Sequence, residues 1–185
     1  TLPYFMPSMD KIKPTTNALY WWMIEYKGPY VLSCKLDGVS GMYISNDKTR
    51  NLYTRGDGRI GQDVTHLLRT LELPIMKDAV VRGEFILSKK TFHDKYKSRF
   101  SNARNLVSGI INSTTIDEKT RDMDFIAYEV IHPPMKPQDQ MKYLIRNGFN
   151  TVRNATFADV TNELLSQILV DWREQYEYDI DGIIV

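Results

Sequence analysis

The segment Ser33-Cys34-Lys35-Leu36-Asp37-Gly38 sets an amine, a carboxylate and a glycine side by side at the end of an apolar run. Residues two apart on a strand share a face, so Lys35 and Asp37 are expected to look into one cavity while Leu32, Cys34 and Leu36 face the core. Gly38 lets the backbone come close to whatever fills that cavity. Such a lysine can act as a nucleophile only after losing a proton, and a free lysine, with a pKa near ~10.4, is almost wholly charged at neutral pH. Desolvation or nearby cations must make up the difference. Taken alone, this short stretch reads more simply as a strand-end Lys-Asp ion pair beside a turn glycine.

Other segments add to it. Thr54-Arg55-Gly56-Asp57-Gly58-Arg59-Ile60-Gly61-Gln62-Asp63-Val64-Thr65 is a long glycine-patterned run. Val81-Arg82-Gly83-Glu84-Phe85 puts a carboxylate on a strand, and Asp124 to Val130 puts Tyr128 on another. Asp179-Ile180-Asp181-Gly182-Ile183-Ile184-Val185 forms the last stretch.

The elements that must position these groups follow from the residue pattern. Thr15 or Thr16 caps a helix over Asn17 to Lys27, stopped by Gly28-Pro29. Two or three antiparallel strands fill Tyr30 to Thr54, and a short helix runs from Asp63 to Leu71. A strand over Ala79 to Leu87 precedes a basic helix from Ser88 to Arg99 and a second helix over Arg104 to Asn112. Met123 to Ile131 reads as a buried strand, Gln138 to Arg146 and Thr161 to Tyr176 as helices, and Asp181 to Val185 as a final strand. These elements imply an α+β class with antiparallel sheets flanked by helices, in one domain over residues 1–185.

Composition narrows the function. The chain has 185 residues, 42% hydrophobic and 25% charged, enough to build a core. Lys+Arg number 24 against 23 Asp+Glu, so the molecule as a whole is no polycation and any basic surface is local. Lys89, Lys90, Lys95, Lys97, Arg99 and Arg104 crowd Ser88 to Asn105 with Phe92, Tyr96 and Phe100 between them, whereas Phe157 to Asp181 is acidic. A single cysteine, Cys34, excludes an internal disulfide and a thiolate zinc site. The apolar run Ala18 to Ile24 is far short of a membrane span, and the chain reads as an intracellular protein.

In order and spacing the motifs resemble the adenylation (nucleotidyltransferase) domain of NAD-dependent DNA ligases, from Pro7-Ser8-Met9-Asp10 to the last residue. The resemblance implies the nucleotidyltransferase fold, related to the ATP-grasp ligases. It implies that Lys35 attacks the α-phosphorus of NAD, expels nicotinamide mononucleotide and holds AMP as a phosphoramidate. The AMP then passes to the 5′-phosphate of nicked duplex DNA, and the 3′-hydroxyl displaces it. Mg2+ is the expected cofactor, with no metal ligands assigned. By the same resemblance Arg55 contacts the nucleotide, Glu84 holds the ribose, Tyr128 stacks on adenine, and Ser8, Met9, Ser33, Leu36, Asp37 and Asp181 border the nucleotide. Arg99 and Arg104 are the expected DNA-backbone contacts, in a protein expected to act as a monomer in a bacterial cytoplasm or a virus-infected cell.

Departures from the family pattern are specific. Ser33 stands where a glutamate is usual, Gln62 replaces a glutamate, Asn112 replaces an arginine, and Asn102-Ala103-Arg104-Asn105 replaces Asn-Pro-Arg-Asn. The lysine following the last motif, the module that holds the nicotinamide half of NAD and the oligonucleotide-binding fold are not in the sequence, which implies a piece of a longer ligase. ATP-dependent polynucleotide ligases and capping nucleotidyltransferases share Lys-x-Asp-Gly, but many carry an arginine where this chain has Ser40. A nonenzymatic nucleic-acid-binding module built on Lys89 to Arg104 is the rival from outside enzymes.

Overall fold

Alternating and continuous apolar stretches form two antiparallel sheets in the computed structural model, which describes residues 1–185. The larger has the order β3-β2-β4-β5, built from β2 (Val39–Asn46), β3 (Arg50–Thr54), β4 (Asp78–Ile86) and β5 (Asp124–His132). The smaller has the order β6-β1-β7, with β1 (Tyr30–Leu36) between β6 (Asn154–Phe157) and β7 (Ile180–Ile184). Helices α1 (Ala18–Glu25), α2 (Lys89–Lys95), α3 (Ala103–Asn112), α4 (Glu118–Asp122), α5 (Pro137–Arg146) and α6 (Asn162–Gln175) flank them, and a 3-10 turn covers Thr65–Arg69. The α+β class with antiparallel sheets is as the sequence implies. No helix is long and apolar enough to cross a membrane.

One core lies on the face of the larger sheet that carries Tyr43, Val81 and Phe85, which packs on Leu106, Val107 and Ile110 of α3. A second joins the sheets: Leu32, Cys34 and Leu36 of β1 meet Ile86 of β4, Ile126 of β5 and Trp172 of α6. Removing Ile86 to alanine would cost roughly 2–5 kcal/mol, more than a surface change, and would loosen the seating of one sheet on the other. The other face of β4 carries Arg82 and Glu84, two residues apart and pointing together.

Several local details differ from the sequence reading or add to it. β1 and β2 follow each other in sequence but belong to different sheets. Asp37 donates its N–H to Asp179 O at 3.0 Å, after which Gly38 leads the chain across to β2. A Cβ on Gly38 would lie 2.2 Å from the Phe85 carbonyl oxygen, so only glycine passes there. Helix α2 ends at Lys95 rather than Arg99, because Lys97 N–H reaches back to Phe92 O and Tyr96 turns its ring into the core. The segment after Asp63 forms a 3-10 turn, with Asp63 accepting from Thr65 N–H at 2.9 Å. Helix α1 packs Leu19, Trp22 and Met23 against the second core, while Tyr20, Trp21, Ile24 and Tyr26 are exposed. Finally, α4 and β6 are elements the periodicity did not reveal, since each spans too few residues to show a repeat.

Candidate active site

A cavity of about 540 Å³ opens between the two sheets, under helix α3 and an N-terminal strap. The strap is fixed by two backbone bonds to the glycine turn, Leu2 N–H to Arg59 O at 2.6 Å and Met6 N–H to Gly58 O at 2.8 Å. Met6 is fully buried, and the residues that follow, Pro7, Ser8, Met9 and Lys11, form part of the wall. Arg55, also on the wall, donates its Nε–H to Met6 O at 2.9 Å and so ties the glycine run to the strap.

Lys35 stands near the C-terminal end of β1, half exposed, with Nζ 3.1 Å from Asp181 Oδ1. Strand pairing sets this contact: Lys35 lies opposite Gly182 in β7, and Asp181 is the neighbouring residue. Asp37 follows the strand and also faces the cavity, where Arg104 Nη1 of α3 approaches its Oδ1 at 3.9 Å. Asn102 caps α3 by accepting from Asn105 N–H at 2.8 Å, which aims the start of that helix, and Arg104 with it, at the cavity.

Glu84 is the buried carboxylate of the site. Its Oε2 accepts from Gly38 N–H at 3.1 Å and its Oε1 from Ser40 Oγ at 3.0 Å. Burial pushes the carboxyl up to about 7, against the opposing pull of those two donors and of Arg104. Tyr128 sits where the β4–β5 register slips between Arg82 and Gly83: Arg82 pairs with Glu129 and Gly83 with Ala127, leaving Tyr128 as the unpaired residue. Such bulges re-aim side chains, and here the ring turns to the cavity. Burial and the nearby Glu84 keep its phenol protonated.

Of the residues expected from sequence, Ser8, Met9, Lys35, Leu36, Asp37, Arg55, Glu84, Arg104, Tyr128 and Asp181 line this one cavity. Ser33 and Arg99 do not. Ser33 is buried in the smaller sheet opposite Asn154 and Ile184, because it lies two residues before Lys35 and deeper in β1. Arg99 is exposed beyond α2, its guanidinium 5.5 Å from the Tyr96 ring centroid. Two of the substituted positions, Gln62 and Asn112, are on the wall, and Gln62 Nε2 donates to Ile111 O at 3.3 Å.

Ser40, Arg82 and Lys11 are among the wall residues that escaped the sequence reasoning. Ser40 lies directly opposite Glu84 across β2 and β4. Arg82 is buried, its Nε without a partner, its Nη1 3.8 Å from Glu129 and its guanidinium 5.7 Å from the Tyr128 centroid. Lys11 comes from the strap. The signal for the first two was present in the two-residue period that places Ser40 with Gly38 and Arg82 with Glu84; Lys11 lies on extended chain with no period to read.

No group of three or more His, Cys, Asp or Glu is placed to cage a metal. Asp37 and Asp181 are nonetheless two carboxylates on one wall, which suits an ion held mainly by ligand phosphates and water.

The cleft between the two antiparallel sheets thus brings Lys35 on a strand end, the buried Glu84 carboxylate and the Tyr128 ring together in the fold of the ligase adenylation domains. The model of the NAD-dependent DNA ligase adenylation domain matches residues 19–185, and the chain belongs to that family. It is similar to the "DNA ligase" of Acanthamoeba polyphaga mimivirus, 43% identical over 194 residues that cover 100% of this chain and 30% of the relative. It is also similar to "Putative DNA ligase 205R" of Invertebrate iridescent virus 6, at 30% identity, 100% and 32% coverage, and to the "DNA ligase" of Malacoplasma penetrans, at 32% identity, 84% and 25% coverage. The chain thus spans about a third or less of the length of these relatives. Among solved structures, "Pmar-Lig_Pre." shares the fold with a TM-score of 0.52 at 13% identity, over 90% of this chain and 40% of that one.

Proposed function

We propose that this chain is the domain that takes AMP from NAD onto Lys35 and delivers it to nicked duplex DNA. The observation that carries the reading is the convergence of Lys35, Asp181, Arg55, Glu84 and Tyr128 on one cavity from five separate segments. In the first step Lys35 Nζ forms a bond to the α-phosphorus while the bond to the nicotinamide mononucleotide oxygen breaks, and that mononucleotide leaves. In the second, a 5′-phosphate oxygen at the nick attacks the same phosphorus and Lys35 is released. In the third, the 3′-hydroxyl joins the 5′-phosphate and AMP departs.

An ammonium has no lone pair, so Lys35 must give up a proton before attack, and the Asp181 carboxylate 3.1 Å from Nζ is placed to accept it. Phosphoryl transfer is catalysed mostly by positioning and charge, and Arg55 and Arg104 are the wall guanidinium groups suited to the phosphates. Mg2+ would be held through Asp37, Asp181 and the phosphates, and would neutralise charge on the phosphoryl oxygens. Glu84 accepts from ribose hydroxyls, and the Tyr128 ring supplies a face for adenine. Ser33 is too buried for the adenine contact, which leaves that edge to Leu36, Ser8 and Met9. The chain works as one module of a longer monomeric ligase, inside the bacterium or infected cell where its DNA lies.

Intact-mass spectrometry of the full ligase containing this domain, incubated with NAD and Mg2+, tests the reading. One AMP is expected on the wild type, located at Lys35 by peptide mapping, and none on Lys35→Ala. AMP found on another residue, or none on a folded wild type, overturns it.

A further inference from the structure

We propose that Ser40 is a positioning residue, tying the carboxylate of Glu84 to the ring of Tyr128 so that the sugar and base of one bound nucleotide are met at a fixed spacing. The inference rests on the nucleotide-binding reading above and adds a residue that touches neither phosphate nor nucleophile.

Ser40 has one hydroxyl proton and two accepting lone pairs. Its Oγ is 3.0 Å from Glu84 Oε1 and 3.2 Å from Tyr128 Oη. A carboxylate can only accept, so the serine proton goes to Glu84, and the phenol donates to Ser40 Oγ. The three side chains therefore form a directed chain, Tyr128 to Ser40 to Glu84, each strand of the β2-β4-β5 ladder contributing one member. Gly38 N–H takes the other carboxylate oxygen at 3.1 Å. An ionised carboxylate offers about four accepting sites, so after Ser40 and Gly38 roughly two remain, the number a ribose diol needs.

Tyr128 needs this tether more than an ordinary strand residue would. It is the unpaired residue of the bulge, so the ladder does not fix its orientation. The guanidinium of Arg82 approaches the ring, but a centroid distance of 5.7 Å sets no direction for the hydroxyl. Ser40 does. Few side chains would substitute: alanine lacks the group, and the arginine found there in many ATP-dependent relatives has no acceptor for the phenol.

The test measures binding of AMP and of 2′,3′-dideoxy-AMP to the 185-residue chain by calorimetry, from about pH 5.5 to 8.5. The ratio of the two affinities isolates the ribose contact, because both ligands carry the same titrating phosphate. Besides Ser40, the groups facing Glu84 are Arg82 on its own strand, Tyr128 on β5, Arg104 on α3 and Asp181 on β7 paired with Lys35; none is changed in Ser40→Ala. Wild type should prefer AMP, increasingly so as pH rises through about 7 and Glu84 ionises.

In Ser40→Ala the preference should fall about fivefold, the worth of one hydrogen bond. Its midpoint should move to higher pH, since the lost hydroxyl favoured the ionised carboxylate. Ser40→Thr should restore both. Tyr128→Phe, which cuts the tether from the other end and keeps the stacking face, should weaken AMP and add little when combined with Ser40→Ala. An unshifted midpoint and an unchanged ratio in Ser40→Ala overturn the inference while leaving the nucleotide site standing. Absence of AMP binding to the folded wild type overturns both.

Discussion

Lys35 Nζ lies 3.1 Å from Asp181 Oδ1, so the amine of the proposed nucleophile is held by a carboxylate from the strand next to its own. Asp181→Asn removes the charge from that pair and keeps the shape. If the carboxylate only restrained the amine, the variant would take AMP faster. If Asp181 also supports the phosphates through Mg2+, AMP transfer in the full ligase should fall at least tenfold, and we expect the fall. Single-turnover measurement of AMP attachment separates the two, and faster attachment would remove Asp181 from the phosphate end of the site.

Glu84 makes stability depend on pH in an unusual direction. Its carboxyl is raised from 4.5 to about 7, so between those values the folded domain keeps a proton that the unfolded chain has released. The group's contribution is complete below about pH 4.5 and is lost as pH rises through about 7. Wild type should therefore lose about 1–3 kcal/mol relative to Glu84→Gln between about pH 5 and pH 8, while the variant binds AMP worse. Urea unfolding of both proteins across that range checks the sign; parallel curves would contradict it.

The glycine turn holds the strap. Gly58 has φ of +97°, and a Cβ there would lie 2.6 Å from the Met6 carbonyl oxygen. Gly58→Ala should cost about 1–3 kcal/mol and release residues 1–13 from the wall. Limited trypsin digestion should then cut after Lys11 much faster than in wild type, and equal rates would show that the strap is held by other contacts.

Nucleic-acid contacts are expected to divide between two arginines. Arg104 reaches the cavity, whereas Arg99 points away from it over Tyr96. In the full ligase on nicked DNA, each arginine that meets a phosphate should contribute about 0.9 to the slope of log affinity against log salt. Arg104→Ala should lower both that slope and AMP transfer, and Arg99→Ala the slope alone. An unchanged slope in Arg99→Ala would take that residue out of the interface.

Cys34 is 1% exposed, and burial pushes its thiol up to about 12. Thiolate is therefore scarce at neutral pH, and a thiol reagent should label the native chain orders of magnitude more slowly than the urea-unfolded one. Rapid native labelling would mean that β1 opens readily at the edge of the cavity.

Much of this was legible in residue order. The alternation around Lys35, the glycine run before Arg59 and the strand carrying Glu84 each sit close to their motif, and local rules suffice for them. What escaped depended on partners distant in the chain. Nothing near Ser33 says that β6 and β7 will cover it, and nothing near Tyr128 says that a bulge will release it from the ladder. Arg99 looked like part of a continuous basic helix because charge continues past Lys95, whereas the buried ring of Tyr96 stops the helix one residue beyond that lysine. The expected helix caps were read one or two residues off at α1, where Thr16 Oγ1 accepts from Ala18 N–H at 3.3 Å while Asn17 makes no side-chain cap.

The placement of β1 between β6 and β7 has a consequence for biosynthesis. The strand that bears Lys35 leaves the ribosome early, yet both of its neighbours come from residues 154–184. The four strands of the other sheet can assemble once His132 has emerged, so the walls that carry Glu84 and Tyr128 can form around a gap where β1 will later sit. The strand that bears Lys35 thus gains its two neighbours only after residues 154–184 have been made.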